Sequence, residues 1–165
     1  MIAAGIDVLD RVFRVFLAAL MALMVVCVTW QIVSRYALGD PSPWTEELAR
    51  FLLIWIGLLG GSYAYHVKMH LGLDLLSDRL SGGAKVVHAV VIHSVTILFS
   101  VVVLVVGGFR IVQMTSELKQ YSAALGVPMS VVYYALPISG LMLILYATVA
   151  LIEALRSGVS DEVNS

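Results

Sequence analysis

The chain has 165 residues, of which 61% are hydrophobic and only 13% are charged, and its mean hydropathy is +0.98. A water-soluble domain has too small an interior to hide so much apolar surface, so the composition predicts an integral membrane protein. The formal net charge of -1 offers no basic excess for nucleic acid, and the one cysteine excludes an internal disulfide framework and a cysteine-based metal cluster.

The first predicted element is a transmembrane helix over residues 12–35. Residues 15–34 carry no charge, and Trp30, Arg35 and Tyr36 are typical of the far membrane interface. A cleaved signal peptide is the competing interpretation. The apolar run is longer than a usual signal core, however, and no A-x-A site closes it, so we expect a retained span.

The second predicted span covers residues 44–66 and begins at a turn rich in glycine and proline. Ser42 is expected to cap this helix, with Pro43 at its first position. Trp44 is expected to anchor the entry at the membrane surface. With the first turn included, the helix reaches roughly 33 Å, which is close to the thickness of the hydrocarbon core.

Two neighbouring acids in the first turn of that helix have different predicted environments. Glu46 and Arg50 are four residues apart, a spacing that predicts an ion pair on one face. Glu47 points about 100° away, so it is free to cap the helix, face water or meet a partner protein. Both acids lie at the mouth of the helix rather than at mid-depth, which disfavours a proton-relay role.

The second half of the chain predicts two further spans, over residues 86–110 and 129–153. Residues 66–85 are predicted as a loop with a short amphipathic segment at the interface, and the third helix is expected to continue past the membrane to Lys119. Pro128 precedes the last span, and Pro137 is expected to kink it. The tail, residues 157–165, is predicted to be disordered.

The predicted fold is therefore all-α, a single membrane domain of four transmembrane helices with short interfacial helical segments. Six Lys and Arg residues lie in the termini and the 66–85 loop, against four elsewhere. By the positive-inside rule, this bias favours cytoplasmic termini.

Three function classes remain open at this point. The middle of every predicted span lacks Asp, Glu, Lys and Arg, which disfavours a self-contained ion-coupled carrier. A haem-bearing membrane anchor of a redox enzyme is the runner-up, because His66, His70, His88 and His93 lie near one predicted face. His88 and His93 point in different directions on a helix, so we expect no cofactor. The third class is one subunit of a larger assembly, in which a protein this small and this apolar often works.

A strip of small residues on the second helix is a candidate contact surface. Gly57 and Gly61 have the small-xxx-small spacing, with Gly60 and Ala64 beside them, and such a strip lets another helix approach closely. The spacing does not say whether that helix belongs to this chain or to a partner.

Several motifs resemble one family. Residues 44–51 (WTEELARF), Trp55, Gly60 and residues 70–74 (HLGLD) resemble the W-x-E-E-x-x-R-F and H-hydrophobic-x-hydrophobic-D patterns of the small, DctQ-like transmembrane subunit of tripartite ATP-independent periplasmic (TRAP) transporters.

The C-terminal half extends the same resemblance. Residues 124–128 (ALGVP) and 134–137 (YALP) look like the L-G-[IV]-P and Y-x-x-P signature that opens the last helix of that family. The resemblance covers essentially the whole chain in order.

The resemblance implies a non-enzymatic subunit of the bacterial inner membrane. Its partners would be a large TRAP membrane subunit with the substrate and sodium sites, a periplasmic solute-binding protein and membrane lipid. The small subunit would brace the large one during uptake of an organic anion. The candidate structural and partner-contact residues are Trp44, Glu46, Glu47, Arg50, Trp55, Gly57, Gly60, Gly61, His70, Asp74, Pro128 and Pro137.

Overall fold

The computed structural model describes residues 2–77 and 83–163, with side chains described for residues 10–67, 84 and 86–156. Its helices are α1 (Ile2–Tyr36), α2 (Pro43–Ser77), α3 (Gly83–Phe99), a π-helix (Ser100–Gly107), α4 (Gly108–Glu117), α5 (Met129–Tyr133) and α6 (Ala135–Val163). No β-strand occurs in the described ranges. One isolated bridge joins Tyr121 and Pro128.

Four helical stretches are long and apolar enough to cross a membrane: Asp10–Tyr36, Pro43–Val67, Val86–Glu117 and Met129–Arg156. In lipid, a spanning segment has to satisfy its own backbone hydrogen bonds, and helices do so. The predicted all-α, four-span fold is confirmed.

The first span is shielded along a narrow seam. Its shielded positions recur every three or four residues, and all other described positions from 11 to 36 are exposed. A period of about 3.5 is the repeat of coiled-coil packing, in which one seam faces the partner helix. The seam consists of Asp10, Phe13, Leu17, Leu20, Met24, Cys27, Gln31 and Ser34. Most of α1 is thus left for lipid or a partner.

The chain divides into two compact units, each assembled from two separate stretches. The first comprises Met1–Gly60 and Ile111–Ala135, and the second Gly61–Arg110 and Leu136–Ser165. In the first unit, the side-chain amide of Gln31 donates to the carbonyl oxygen of Thr45 at 2.9 Å. In the second, the buried hydroxyl of Ser62 donates to the carbonyl oxygen of Ser139 at 2.9 Å.

Two glycines allow close helix packing in the second unit. A Cβ atom placed on Gly108 would lie 2.8 Å from the Cβ of Leu136, and one placed on Gly140 would lie 2.7 Å from the Cβ of Leu104. Position 108 faces position 136 and position 104 faces position 140, so the two helices are antiparallel here. Neither glycine position has room for a larger residue, because protein interiors are close-packed.

The third span is not the regular α-helix that the sequence predicts. Its middle, Ser100–Gly107, is π-helical, with α-helix on both sides. A π-helix bonds residue i to residue i+5 and still satisfies the backbone within one segment, so a membrane tolerates it. The run of valines gives no signal that separates the two helix types.

The predicted loop over residues 66–85 is wrong for its first part, because α2 continues to Ser77. Gly72 is an isolated glycine, which a helix tolerates at a modest cost, and no proline interrupts the stretch. The helix α3 begins at Gly83, and residues 78–82 lie outside the described part of the chain.

The C-terminal stretch also differs from the prediction. The helix α6 runs to Val163, so the backbone of residues 157–163 is helical where the sequence predicts a disordered tail. The stretch after the last span contains no proline, and Glu153, Leu155 and Arg156 are good helix formers, so the helix has no local reason to end at the membrane surface. Side chains beyond residue 156 lie outside the described set.

The last span carries the break that Pro137 predicts. Tyr134 interrupts the helix between α5 and α6, three residues before the buried Pro137. Proline has no N–H, and its ring clashes with the carbonyl of the residue four positions earlier, so α5 ends at Tyr133.

Candidate functional site

The carboxylate of Glu47 binds a turn far away in the sequence. It accepts hydrogen bonds from the hydroxyl of Ser122 at 2.9 Å and from the backbone N–H groups of Ala123 at 3.1 Å, Ala124 at 2.8 Å and Leu125 at 2.9 Å. Hydrogen bonds to an ionised acceptor are stronger than neutral ones. Glu47 therefore ties the start of α2 to the segment that leads into the last span.

The bound turn belongs to a loop over residues 118–128 that closes on itself. The Ser122 N–H donates to the Val127 carbonyl at 2.9 Å, and the Met129 N–H donates to the Gln120 carbonyl at 2.9 Å. Gly126 has a φ of +65°, a left-handed conformation that glycine adopts without strain. These bonds bend the chain so that three consecutive N–H groups converge on one carboxylate.

The Glu47 contact has a clear physical origin. The N–H groups of a turn near a membrane surface need acceptors, because an unpaired backbone donor is costly in a poorly hydrated layer. One carboxylate near the start of α2 thus supplies the acceptors for the loop.

The sequence prediction left the partner of Glu47 open, and the turn at residues 122–125 was missed. The available signal was the pair of motifs that carry the family resemblance. Glu47 lies in the WTEELARF stretch, and the structure joins it to the ALGVP stretch through two hydrogen bonds, from the N–H groups of Ala124 and Leu125.

The predicted ion pair between Glu46 and Arg50 is confirmed. The Arg50 guanidinium lies 2.8 Å from the Glu46 carboxylate, and both side chains are more than half exposed. An exposed pair of this kind stabilises a helix by about 1 kcal/mol or less. It is a surface feature of α2.

The predicted cap of α2 is correct in position and wrong in chemistry. Pro43 is the first helical residue, as expected. The Ser42 hydroxyl, however, has no hydrogen-bond partner among the described residues. The Ser42 carbonyl accepts instead from the Thr45 hydroxyl at 2.9 Å and from the Glu46 N–H at 3.4 Å. The Ser42 carbonyl thus makes the first i to i+4 bond of the helix, and no side-chain capping bond from Ser42 is seen among the described residues.

The glycine strip of α2 is open in this chain. A Cβ atom placed on Gly57, Gly60 or Gly61 would meet no heavy atom of the described structure within 4 Å. The close helix contact at Gly108 and Gly140 therefore does not use this strip.

The remaining candidates occupy varied positions. Trp44 is 48% exposed at the start of α2, and Trp55 is half-buried further along it. Pro128 precedes α5 and is exposed, whereas Pro137 is buried. The backbones of His70 and Asp74 belong to α2, but their side chains lie outside the described set.

Two histidines make contacts with tyrosines in the second unit. His66 stacks on Tyr146 with ring centroids 4.4 Å apart, and the Nδ1 atom of His93 is hydrogen-bonded to the hydroxyl of Tyr65. Across the described residues, no group of three or more His, Cys, Asp or Glu side chains is placed to hold a metal ion.

Comparison with known proteins gives the same family as the two motifs that Glu47 joins. The model of the DctQ component of tripartite ATP-independent periplasmic transporters matches residues 24–157. The sialic acid TRAP transporter small permease protein SiaQ of Vibrio cholerae is 29% identical over 137 residues, which is 83% of this chain and 78% of that protein. The C4-dicarboxylate TRAP transporter small permease protein DctQ of Rhodobacter capsulatus is 24% identical, over 87% of this chain and 76% of that protein.

A third relative is a longer protein. The isethionate TRAP transporter permease protein DctMQ of Oleidesulfovibrio alaskensis is 30% identical over 77% of this chain, but the match covers only 21% of that protein. These relatives are transporter proteins, so they do not favour the haem-anchor alternative. With four apolar spans and a family match over most of its length, the chain belongs to the DctQ component family of TRAP transporters.

Proposed function

We propose that this small TRAP permease subunit braces a large, sodium-coupled permease subunit during uptake of an organic acid that a periplasmic binding protein delivers. Substrate and sodium sites would lie in the large subunit. The family is a transporter component and not an enzyme, so the residues described above are assigned structural roles rather than catalytic ones.

One observation carries the proposal. The second helix is fixed internally at its first turn by Glu47, while its glycine strip is left open. A brace needs both features, because it has to keep its own shape and offer a surface on which another helix can pack. In lipid, close packing is the main source of helix association, and small residues permit it.

The partner is supported by the relatives. TRAP small subunits partner with the large permease subunit, and the name of the DctMQ relative joins both components. The relatives are named as transporters of sialic acid, a C4-dicarboxylate and isethionate, all of which are organic acids or their anions. They support an organic acid as the substrate class of this transporter.

We place the protein in the bacterial inner membrane with both termini in the cytoplasm. The charge bias supports this orientation, and the exposed apolar faces of the spans would meet lipid or the large subunit.

The test is reconstitution of the large subunit and the binding protein in liposomes, with and without this chain. We expect uptake of radiolabelled sialic acid or a C4-dicarboxylate only when all three are present together with a sodium gradient. Equal uptake without this chain would overturn the bracing role. Uptake by this chain alone would make it a carrier in its own right.

A further inference from the structure

The 118–128 loop exposes apolar side chains although it is well ordered by internal bonds. Tyr121 is 62% exposed and Leu118 is 59% exposed, and Met114 on the last turn of α4 is 63% exposed. The Leu118 N–H bonds to the Met114 carbonyl at 3.0 Å, so the row begins on the helix and leaves it at Lys119, where φ is 48°. We call Met114, Leu118 and Tyr121 the apolar ridge.

The depth of the loop is fixed by Glu47. That residue is near the start of the span Pro43–Val67, three residues after Trp44, which corresponds to about 4.5 Å of helix rise. The loop N–H groups lie within 3.1 Å of its carboxylate. The loop is therefore held at the level where α2 enters the membrane and does not project far from it.

We propose that the 118–128 loop lies in the headgroup layer of the bilayer, with Leu118 and Tyr121 inserted among the lipids. A tyrosine ring suits this layer, since its body is apolar and its hydroxyl needs a polar partner. The ridge is continuous with the apolar span Val86–Glu117, whose outer surface already faces lipid or a partner. The exposed Lys119 and Gln120 supply polar groups for phosphates and water.

The backbone of the loop is suited to a poorly hydrated layer. Glu47 accepts hydrogen bonds from three N–H groups of the loop. The backbone hydrogen bonds around the Tyr121–Pro128 bridge pair further N–H groups. A loop with these groups unpaired would remain in bulk water, because a backbone donor that loses water without gaining a partner is costly. This inference goes beyond the proposed bracing function and does not depend on it.

Fluorescence quenching in proteoliposomes tests the position of the ridge. The protein is reconstituted with its large subunit in a Cys27→Ala background, and Tyr121→Cys carries a bimane label. Gln120→Cys is the matched neighbour, and Val102→Cys, which is exposed in the middle of a span, is the deep reference. The quenchers are phosphatidylcholine with a doxyl group near the top or near the end of its chain, and iodide in the water.

We expect the Tyr121 label to be quenched at least twofold more by the shallow doxyl lipid than by the deep one, and the Val102 label to show the reverse. The Gln120 label should respond mainly to iodide. If the Tyr121 label responds to iodide as strongly as the Gln120 label, the loop faces water and the proposal fails. Doxyl quenching that appears only when the large subunit is absent overturns it as well, because that partner then covers the ridge. Leu118→Cys repeats the measurement independently of the tyrosine.

Discussion

The carboxylate of Glu47 accepts a hydrogen bond from the hydroxyl of Ser122 at 2.9 Å, across 75 residues of sequence. This contact joins the first turn of the second span to the loop before the last span. The neighbouring acid, Glu46, pairs instead with Arg50 one turn along the same helix. Two adjacent acids thus serve a long-range and a local structural role.

Replacing Glu47 by alanine should loosen the loop. Four donors of the turn at residues 122–125 would lose their bond to Glu47, and of these only the Leu125 N–H keeps a second acceptor, the Ser122 hydroxyl at 3.2 Å, so we expect the unfolding midpoint of the purified complex to fall. Glu46→Ala is the matched control, since it removes the same charge from the same helix turn. Equal shifts in the two variants would show that the loop does not depend on Glu47.

The exposed ion pair predicts a much smaller effect. Because both partners are more than half exposed, Arg50→Ala should change the free energy of unfolding by about 1 kcal/mol or less. Chemical denaturation of the detergent-solubilised protein measures it. Lost transport in a variant that still assembles normally would point to a direct role for Arg50 and against a purely structural pair.

Local rules explain what the sequence predicted correctly. The four spans follow from apolar length, the Glu46–Arg50 pair from the i, i+4 spacing, and the start of α2 at Pro43 from the fixed φ of proline. Each of these features is decided by residues within one or two helical turns.

The missed features depend on distant residues or on small energy differences. The partner of Glu47 is 75 residues away, so no local spacing indicates it. In the π-helix at Ser100–Gly107 each N–H bonds to the carbonyl five residues earlier, whereas in an α-helix it bonds to the carbonyl four residues earlier. The extension of α2 to Ser77 reflects a lone Gly72 that the helix tolerates.

The close crossing in the second unit predicts that Gly108→Ala and Gly140→Ala are destabilising. The new Cβ atoms would lie within 3 Å of Leu136 and Leu104, and overpacking of this kind costs about 1–3 kcal/mol. Gly57→Ala is the control, because its Cβ would meet open space and alanine favours the helix. Thermal unfolding of the three variants compares them, and an equally mild effect at all three positions would contradict the close packing.

The proposed orientation predicts which loops are accessible from outside the cell. In a Cys27→Ala background, Asp40→Cys in the turn between α1 and α2 should react with a membrane-impermeant maleimide in intact cells, while Ser160→Cys should react only after lysis. The charge bias of six against four is small, so the experiment decides the matter. Protection at position 40 together with labelling at position 160 would invert the topology.

The last prediction concerns the open strip of α2. Because Gly61 is exposed and a Cβ placed on it would meet no described atom within 4 Å beyond its own stretch of helix, we expect a leucine there to leave the folding of this chain intact. If the large subunit packs on the strip, the same leucine blocks the close approach, so co-purification of the two subunits should fall. A pull-down with a tagged large subunit, scored against the amount of small subunit in the membrane, separates the cases. A normal amount of small subunit with lost pairing supports the contact between the strip and the large subunit. A low amount of small subunit means that the strip packs within this chain. A normal amount with normal pairing rules out both of these arrangements.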